Sequence, residues 1–300
     1  APYVKKMVEF LDSDHTVLTC TSKDQYDALF ASVDAHDLPN MADVDSSLLY
    51  FCRKVAERHT VALSGECADE VFGGYPWFER SELLEADTFP WCPDLEFRRA
   101  VVKPELWESL QVEDYVQARY QQSLAEMPAL PGEALWERRR REVGWLSLNW
   151  FMSTLLDRKD RMSMAAGLEV RVPFCDHHLV EYVWNIPWAM KAMNGQRKQV
   201  LRDAAEGLLP EELLRRPKSP YPKTHDPLYE QLVRARLLTI LDDRDAPIHS
   251  LVDEKALRAG LLSDAGDYGK PWFGQLMAGP QMLAYLIQIN EWMSRYHLTV

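Results

Sequence analysis

The sequence predicts an α/β chain that is predominantly helical, with an incomplete parallel sheet near its start and a long helical remainder. Three observations carry this. Within the first 75 residues, β-branched runs alternate with amphipathic ones in the order strand, helix, strand, loop, helix, the grammar of a parallel sheet covered by helices. The second strand, Thr60-Val61-Ala62-Leu63, passes directly into the glycine-containing loop Ser64-Gly65-Glu66. Beyond Tyr75 the pattern turns to helical spacing with no convincing strand.

Taken in order, Val4, Met7, Val8 and Leu11 fall on one face of a short helix. Thr16-Val17-Leu18-Thr19-Cys20 reads as a β-branched strand, and Ser22, with Gln25 three residues on, reads as an N-cap opening a helix to about Asp34. His36-Asp37-Leu38-Pro39-Asn40 is a turn, after which Ser46 or Ser47 caps a helix with Leu49, Cys52, Val55 and Ala56 on one face. Helices are then expected at about Glu105–Leu124, Leu135–Met162, His177–Trp184, Lys198–Ala205, Pro227–Leu241 and Pro280–Arg295. Residues 1–75 are expected to form the remainder of an α/β core, and residues 76–300 the helical part of the same domain. Two strands are fewer than the roughly four to six usual in a sheet, so the rest is expected from a missing N-terminal part.

Composition narrows the class. Ten tryptophans and a 47% apolar fraction exclude a disordered chain. A net charge of −12 argues against nucleic acid, whose binding needs basic patches. No apolar run is long enough to span a membrane and no secretory signal is visible. The five cysteines, Cys20, Cys52, Cys67, Cys92 and Cys175, are scattered without a C-x-x-C pair, a reduced, cytoplasmic pattern.

The most informative stretch is Ser64-Gly65-Glu66-Cys67-Ala68-Asp69-Glu70-Val71-Phe72-Gly73-Gly74-Tyr75. Ligands of open parallel sheets bind outside the carboxyl ends of strands, and this loop leaves such an end. Gly65 would let backbone amides approach a phosphate, and Glu66 and Asp69, three apart, share one side of a helical turn. Two hard carboxylates beside a phosphate-friendly backbone suit Mg²⁺ and proton handling. On spacing alone the string equally fits a capping serine and a solvated acidic turn stopped by Gly73-Gly74.

The string resembles the S-G-E-G-x-D-E-x-F-G-G-Y signature of the asparagine synthetases and their relatives. Two further blocks agree. Arg158-Lys159-Asp160-Arg161-Met162-Ser163-Met164-Ala165 with Glu169-Val170-Arg171-Val172-Pro173-Phe174-Cys175-Asp176 resembles R-x-D-x-x-S-M-A…E-x-R-V-P-F-L-D. Asn194-Gly195-Gln196-Arg197-Lys198-Gln199-Val200-Leu201-Arg202, followed by Leu209-Pro210-Glu211-Glu212, resembles N-G-x-x-K-x-x-L-R…L-P-x-x-I.

The resemblance implies a synthetase domain of the adenine-nucleotide α-hydrolase type, which uses ATP and Mg²⁺ to adenylate the side-chain carboxylate of aspartate. Ammonia from glutamine, delivered by an N-terminal glutaminase domain, then displaces AMP to give asparagine. By the same resemblance Ser64 and Gly65 line the nucleotide pocket, Glu66 steers or deprotonates ammonia, and Asp69 helps bind Mg²⁺–pyrophosphate. Lys198 reaches the leaving phosphates, Arg161 neutralises phosphate or the substrate carboxylate, and Glu70 and Tyr75 border the aspartate side. Lys198 and Arg161 also fit plain surface cations. A homodimer is the assembly found among bacterial members.

Departures from the pattern sharpen the expectations. Cys67 stands where the motif has glycine and Cys175 where it has leucine. The family's S-G-G-x-D-S pyrophosphate loop and its glutaminase domain do not occur in these 300 residues, so the chain is expected to be a piece that lacks full synthetase activity alone. An exposed sheet edge is expected to favour self-association. Other readings have less support. Asp176-His177-His178 opens a helix and fits an N-cap better than a metal site, and no G-x-S-x-G or Walker sequence is present. Relatives that adenylate other carboxylates, such as β-lactam synthetases and lasso-peptide cyclases, and a non-catalytic scaffold remain as alternatives.

Overall fold

The computed structural model describes residues 2–192, 195–217, 226–262 and 271–300. Asn194, which opens the third sequence block, lies outside them. The elements that place the site are α1 (Pro2–Leu11), α2 (Ser22–Asp27), α3 (Leu29–His36), α4 (Asp43–Ala56), β1 (Val61–Leu63), α5 (Ala68–Phe72), α6 (Val112–Ala125), α7 (Leu135–Leu146), α8 (Met152–Met164), β2 (Glu169–Arg171), α9 (His177–Trp184), α10 (Trp188–Lys191), α11 (Gln199–Ala204), α12 (Pro227–Asp242) and α13 (Gly279–Arg295). The chain is predominantly helical around a small parallel sheet, as expected.

Among the described residues the sheet has two strands, β1 and β2, paired in parallel with Val61 opposite Glu169, Ala62 opposite Val170 and Leu63 opposite Arg171. The ladder runs one step further at each end, through Glu169 N–H to Thr60 O and Ser64 N–H to Arg171 O, both 2.9 Å. β2 escaped the sequence reading for a local reason. Gly167, at a left-handed φ of +73°, ends the turn after α8, and Pro173 begins a 3₁₀ turn, leaving three extended residues between them. That is too short for an alternation to register.

Thr16–Cys20 is not a strand, contrary to its β-branched composition. A strand exists through its ladder partners, and none of the described residues pairs with this segment, whose Val17 is 76% exposed. Other boundaries shift by capping chemistry. The helix expected from Ser22 is capped instead by Thr21, whose hydroxyl accepts from Asp24 N–H at 3.1 Å while Asp24 accepts from Thr21 N–H at 2.9 Å. It also breaks at Ala28 into α2 and α3, and α4 starts at Asp43 rather than at Ser46 or Ser47. The stretch Glu105–Leu124 is interrupted at Gln111, left-handed at φ +47°.

The largest core joins the two ends of the chain. Leu29 of α3 meets Val233 and Leu237 of α12 and Leu283 and Ile287 of α13. Each such buried side chain contributes about 1.5–3 kcal/mol of transfer free energy. Two hydrogen bonds cross this core: Gln288 donates to Ser32 Oγ at 3.0 Å and Gln281 to Asp43 Oδ2 at 3.1 Å. A second, aromatic cluster holds Trp77, Phe78, Phe89, Trp91, Tyr120 and Phe151. Smaller clusters pack α4 and α8 beside the sheet through Leu49, Cys52, Met162 and Leu168, and seat α5 against α9 through Val71, Phe72 and Val183.

The expected helix Leu135–Met162 runs through as α7 and α8, but residues Ser147–Phe151 between them form a π-helical segment. Ser147 Oγ sits at this bulge, donating to Val143 O at 2.7 Å and accepting from Trp77 Nε1 at 3.4 Å. The aromatic cluster thus packs directly on the irregularity.

Candidate active site

The loop Ser64–Cys67 carries the chain from β1 into α5. Ser64 Oγ accepts from Glu66 N–H at 3.4 Å, and a Cβ built on Gly65 meets nothing within 4 Å, so the strand end is open on this side. Cys67 takes φ +71°, the left-handed geometry that a glycine adopts without cost, and it does so while buried. That conformation turns the chain sharply enough for α5 to begin at the next residue.

Two ion-pair groups form at this strand end. In the first, Glu66 Oε1 lies 3.4 Å from Lys159 Nζ and 3.9 Å from Arg158 Nη1. Glu66 Oε2 is buried and has no hydrogen-bond partner among the described residues, which leaves it free to accept from a ligand. Arg158 is itself anchored: its Nε donates to Asp45 Oδ1 at 2.8 Å and its Nη2 to Val44 O at 3.1 Å. Asp45 also accepts from Met41 N–H at 2.7 Å, so a buried acid fixes the guanidinium that faces Glu66.

In the second group, Lys198 Nζ lies 2.7 Å from Asp69 Oδ1. Lys198 is left-handed at φ +57° and precedes α11, which throws its side chain back towards α5. Gly74 closes α5 by donating to Asp69 O at 2.7 Å. A Cβ on Gly74 would overlap the Asp69 carboxylate and come within 2.5 Å of Lys198 Cε, so only glycine permits this approach.

Glu70 and Tyr75 are brought together as a pair, Tyr75 donating to Glu70 Oε1 at 2.6 Å. Burial raises the Glu70 carboxyl above the usual range and also pushes the Tyr75 hydroxyl up, with the Glu70 charge adding to the latter. Tyr75 stacks on Trp77 with ring centroids 4.1 Å apart. The Cys67 thiol is raised by burial and then by its neighbour Cys175, so it is a packed thiol rather than a nucleophile.

Of the residues singled out in the sequence, Ser64, Gly65, Glu66 and Asp69 share the loop and its helix, and Lys198 joins Asp69 from a distant segment. Arg161 takes a different position: half exposed, with Nη1 3.4 Å from Asp37 and Nε 3.5 Å from Asp157. The cations beside Glu66 are Arg158 and Lys159, which sequence reasoning quoted but gave no role. Asp45 was missed too, since its burial against Arg158 leaves no mark in the sequence. Asp176, His177 and His178 place three donor atoms within 4.8 Å, all exposed. Asp176 is engaged as a helix cap, accepting from His178 and Leu179 N–H.

The residues fit a magnesium ion. Asp69 offers a hard carboxylate beside a lysine, and Mg²⁺ is commonly held by one or two carboxylates together with substrate phosphates and water. Among the described residues, no helix is long and apolar enough to cross a membrane.

Comparison with known proteins agrees with the three sequence blocks. The family described as asparagine synthase matches residues 1–294. Asparagine synthetase [glutamine-hydrolyzing] 3 of Bacillus subtilis is 48% identical over 299 residues, covering 100% of this chain and 48% of the relative. Asparagine synthetase [glutamine-hydrolyzing] 1 of the same organism is 30% identical over 214 residues, 61% of this chain and 34% of the relative. The mouse asparagine synthetase [glutamine-hydrolyzing] is 45% identical over 67 residues, 21% of this chain and 12% of the relative. The chain therefore spans about half the length of the Bacillus subtilis relative it matches throughout. By its whole-length match and its motif geometry, the chain belongs to the asparagine synthase family.

Proposed function

We propose that this chain is the ATP-using part of an asparagine synthetase, activating the side-chain carboxylate of L-aspartate as an acyl-adenylate that ammonia then resolves to L-asparagine. The observation that carries it is the convergence at one strand end of Glu66 with Arg158 and Lys159, and of Asp69 with Lys198. A carboxylate is a poor acyl donor, and adenylation supplies the leaving group it lacks.

Each residue then has a task its geometry suits. Lys198 is a mobile point charge for the oxygens of departing pyrophosphate, held near Asp69 until they arrive. Magnesium, when bound with the nucleotide, spreads positive charge over those oxygens, and Asp69 is the residue that would hold it. Arg158 and Lys159 are positioned for the carboxylates of the amino acid. Glu66 Oε2 accepts a proton from the attacking nitrogen. The open face at Gly65 admits the nucleotide. Glu70 and Tyr75 border the aspartate side, while Arg161 contributes charge from farther out.

In this reading the nitrogen is ammonia released from glutamine by an N-terminal glutaminase domain, and the enzyme works as a cytoplasmic homodimer. Leu63, 75% exposed on β1, leaves apolar surface for such a neighbour.

The test is pyrophosphate release from ATP and Mg²⁺ with aspartate and ammonium. It is run on the chain alone and on the chain joined behind the N-terminal half of the Bacillus subtilis relative. Release that depends on aspartate and disappears in Glu66→Ala and Lys198→Ala supports the proposal. Release driven by a different carboxylate, or none in either form, overturns it.

A further inference from the structure

Against α5, lined by Glu70, Val71 and Gly73 but not by Glu66 or Asp69, lies a cavity of about 310 Å³ walled by α7, α9, α10 and the 128–133 segment. Its volume is at the small end of the range for ligand pockets, roughly 300–1,000 Å³. The walls are held by their own charges. Arg141 is gripped by both oxygens of Glu133 at 2.7 and 2.6 Å and donates to Pro128 O at 2.7 Å, pinning the 128–133 segment to α7 with its charge neutralised. Trp188 stacks on Phe78 with centroids 4.8 Å apart, and Trp184 lines the far side.

Two cations in this cavity are not neutralised. Lys191, at the end of α10, is nine-tenths buried, lines the cavity, and makes no ion pair among the described residues. Arg140 also lines it. Its Nη1 donates to Trp136 O at 3.1 Å and its guanidinium lies 5.9 Å over Trp188, while its Nε is buried with no hydrogen-bond partner. The remaining titratable groups on the walls are Glu70, engaged with Tyr75, and Glu137. A buried ammonium without a counter-ion is costly, and structures retain one where an anion completes it.

We propose that this cavity is a second binding site, separate from the Glu66–Asp69 site, for a small organic carboxylate with an aromatic or branched apolar body. The carboxylate is received by Lys191 and the free Nε of Arg140, and the body lies between Trp184 and Trp188. The tryptophan faces and the small number of free donors favour a carboxylate over phosphate, which needs more hydrogen bonds than two cations supply. The site also bears on the reaction centre. Glu70, Val71 and Gly73 of the α5 region form its floor, and Gly73 is pressed so closely to Trp188 that a Cβ there would overlap the indole. A ligand that displaces Trp188 therefore acts on the helix that carries Asp69.

The experiment is calorimetric titration of the purified protein with benzoate, with inorganic phosphate and benzylamine as comparison probes. The expected result is saturable one-to-one binding of benzoate, weakened at least tenfold in Lys191→Met, unchanged in Glu66→Ala, and absent for benzylamine. Gly144→Leu provides a second variant, since Gly144 lines the cavity and its nearest neighbour is a Trp184 ring atom at 3.8 Å from a built Cβ. It fills the space and is expected to block benzoate. No benzoate binding, equal binding in Lys191→Met, loss in Glu66→Ala, or tighter binding of phosphate would each overturn the proposal.

Discussion

Gly74 lies so close to Asp69 that a single methyl group on its Cα would occupy the place of the carboxylate oxygen that meets Lys198. The glycine is required here by contact, since its φ is not among the left-handed ones in this loop. It sets the one position from which the two charged groups, 129 residues apart, can touch.

Gly74→Ala is accordingly expected to part Asp69 from Lys198 and to lower aspartate-dependent pyrophosphate release by about a hundredfold, comparable to losing one electrostatic stabiliser. Thermal melting should fall by only a few degrees, because the aromatic and helical cores do not involve this contact. Near-normal release by Gly74→Ala would show that the Asp69–Lys198 approach is not used in turnover.

The Arg158–Asp45 pair makes a stability prediction. Both side chains are buried, so Arg158→Met strands a charged Asp45 and should cost about 3–5 kcal/mol in urea unfolding. Asp45→Asn added to Arg158→Met should recover at least half of that loss. Additive losses would mean that the two residues contribute independently.

Lys191 links pH to stability. Burial lowers its ammonium from 10.5 to about 8. Between those values the unfolded chain holds a proton that the folded chain has released, so folding gains from rising pH across that interval. The gain is on the order of 3 kcal/mol as an upper bound. Lys191→Met should be more stable than the parent at pH 7, and the difference should shrink as pH approaches 10. A difference that does not change with pH would remove the buried-cation description.

Cys67 tests the left-handed turn. Cys67→Gly relieves φ strain while losing a small buried side chain, so its unfolding free energy should stay within about 1 kcal/mol of the parent. Cys67→Val, β-branched at the same φ, should lose about 2 kcal/mol or more. The raised thiol should also react slowly with iodoacetamide at pH 8 in the folded protein and quickly in urea.

The contrast between Glu66 and its neighbours shows how far the sequence could be read. The motif located Glu66, Asp69 and Lys198, because a distinctive string at the end of an apolar run survives without knowledge of contacts. Helices His177–Trp184 and Pro227–Leu241 were legible to within a residue, since Asp176 and Pro227 mark their starts. What the string could not say was which cation of Arg158-Lys159-Asp160-Arg161 faces Glu66. That depends on how α8 is rotated against α4, and the acid that fixes the rotation, Asp45, is 113 residues away. Thr16–Cys20 failed for the opposite reason: its residues favour a strand, but a strand is a property of two segments and no described segment pairs with it.

The π-helical segment at Ser147–Phe151 has a consequence for the two helices it joins. A π-helical turn holds about one residue more than an α-helical turn, so the bulge absorbs an extra residue while α8 keeps its phase relative to α7. Arg158 and Lys159 of α8 thereby stay beside Glu66 while Arg140 and Arg141 of α7 line the cavity wall. The bulge acts as a phase adjuster that lets one continuous rod serve two faces.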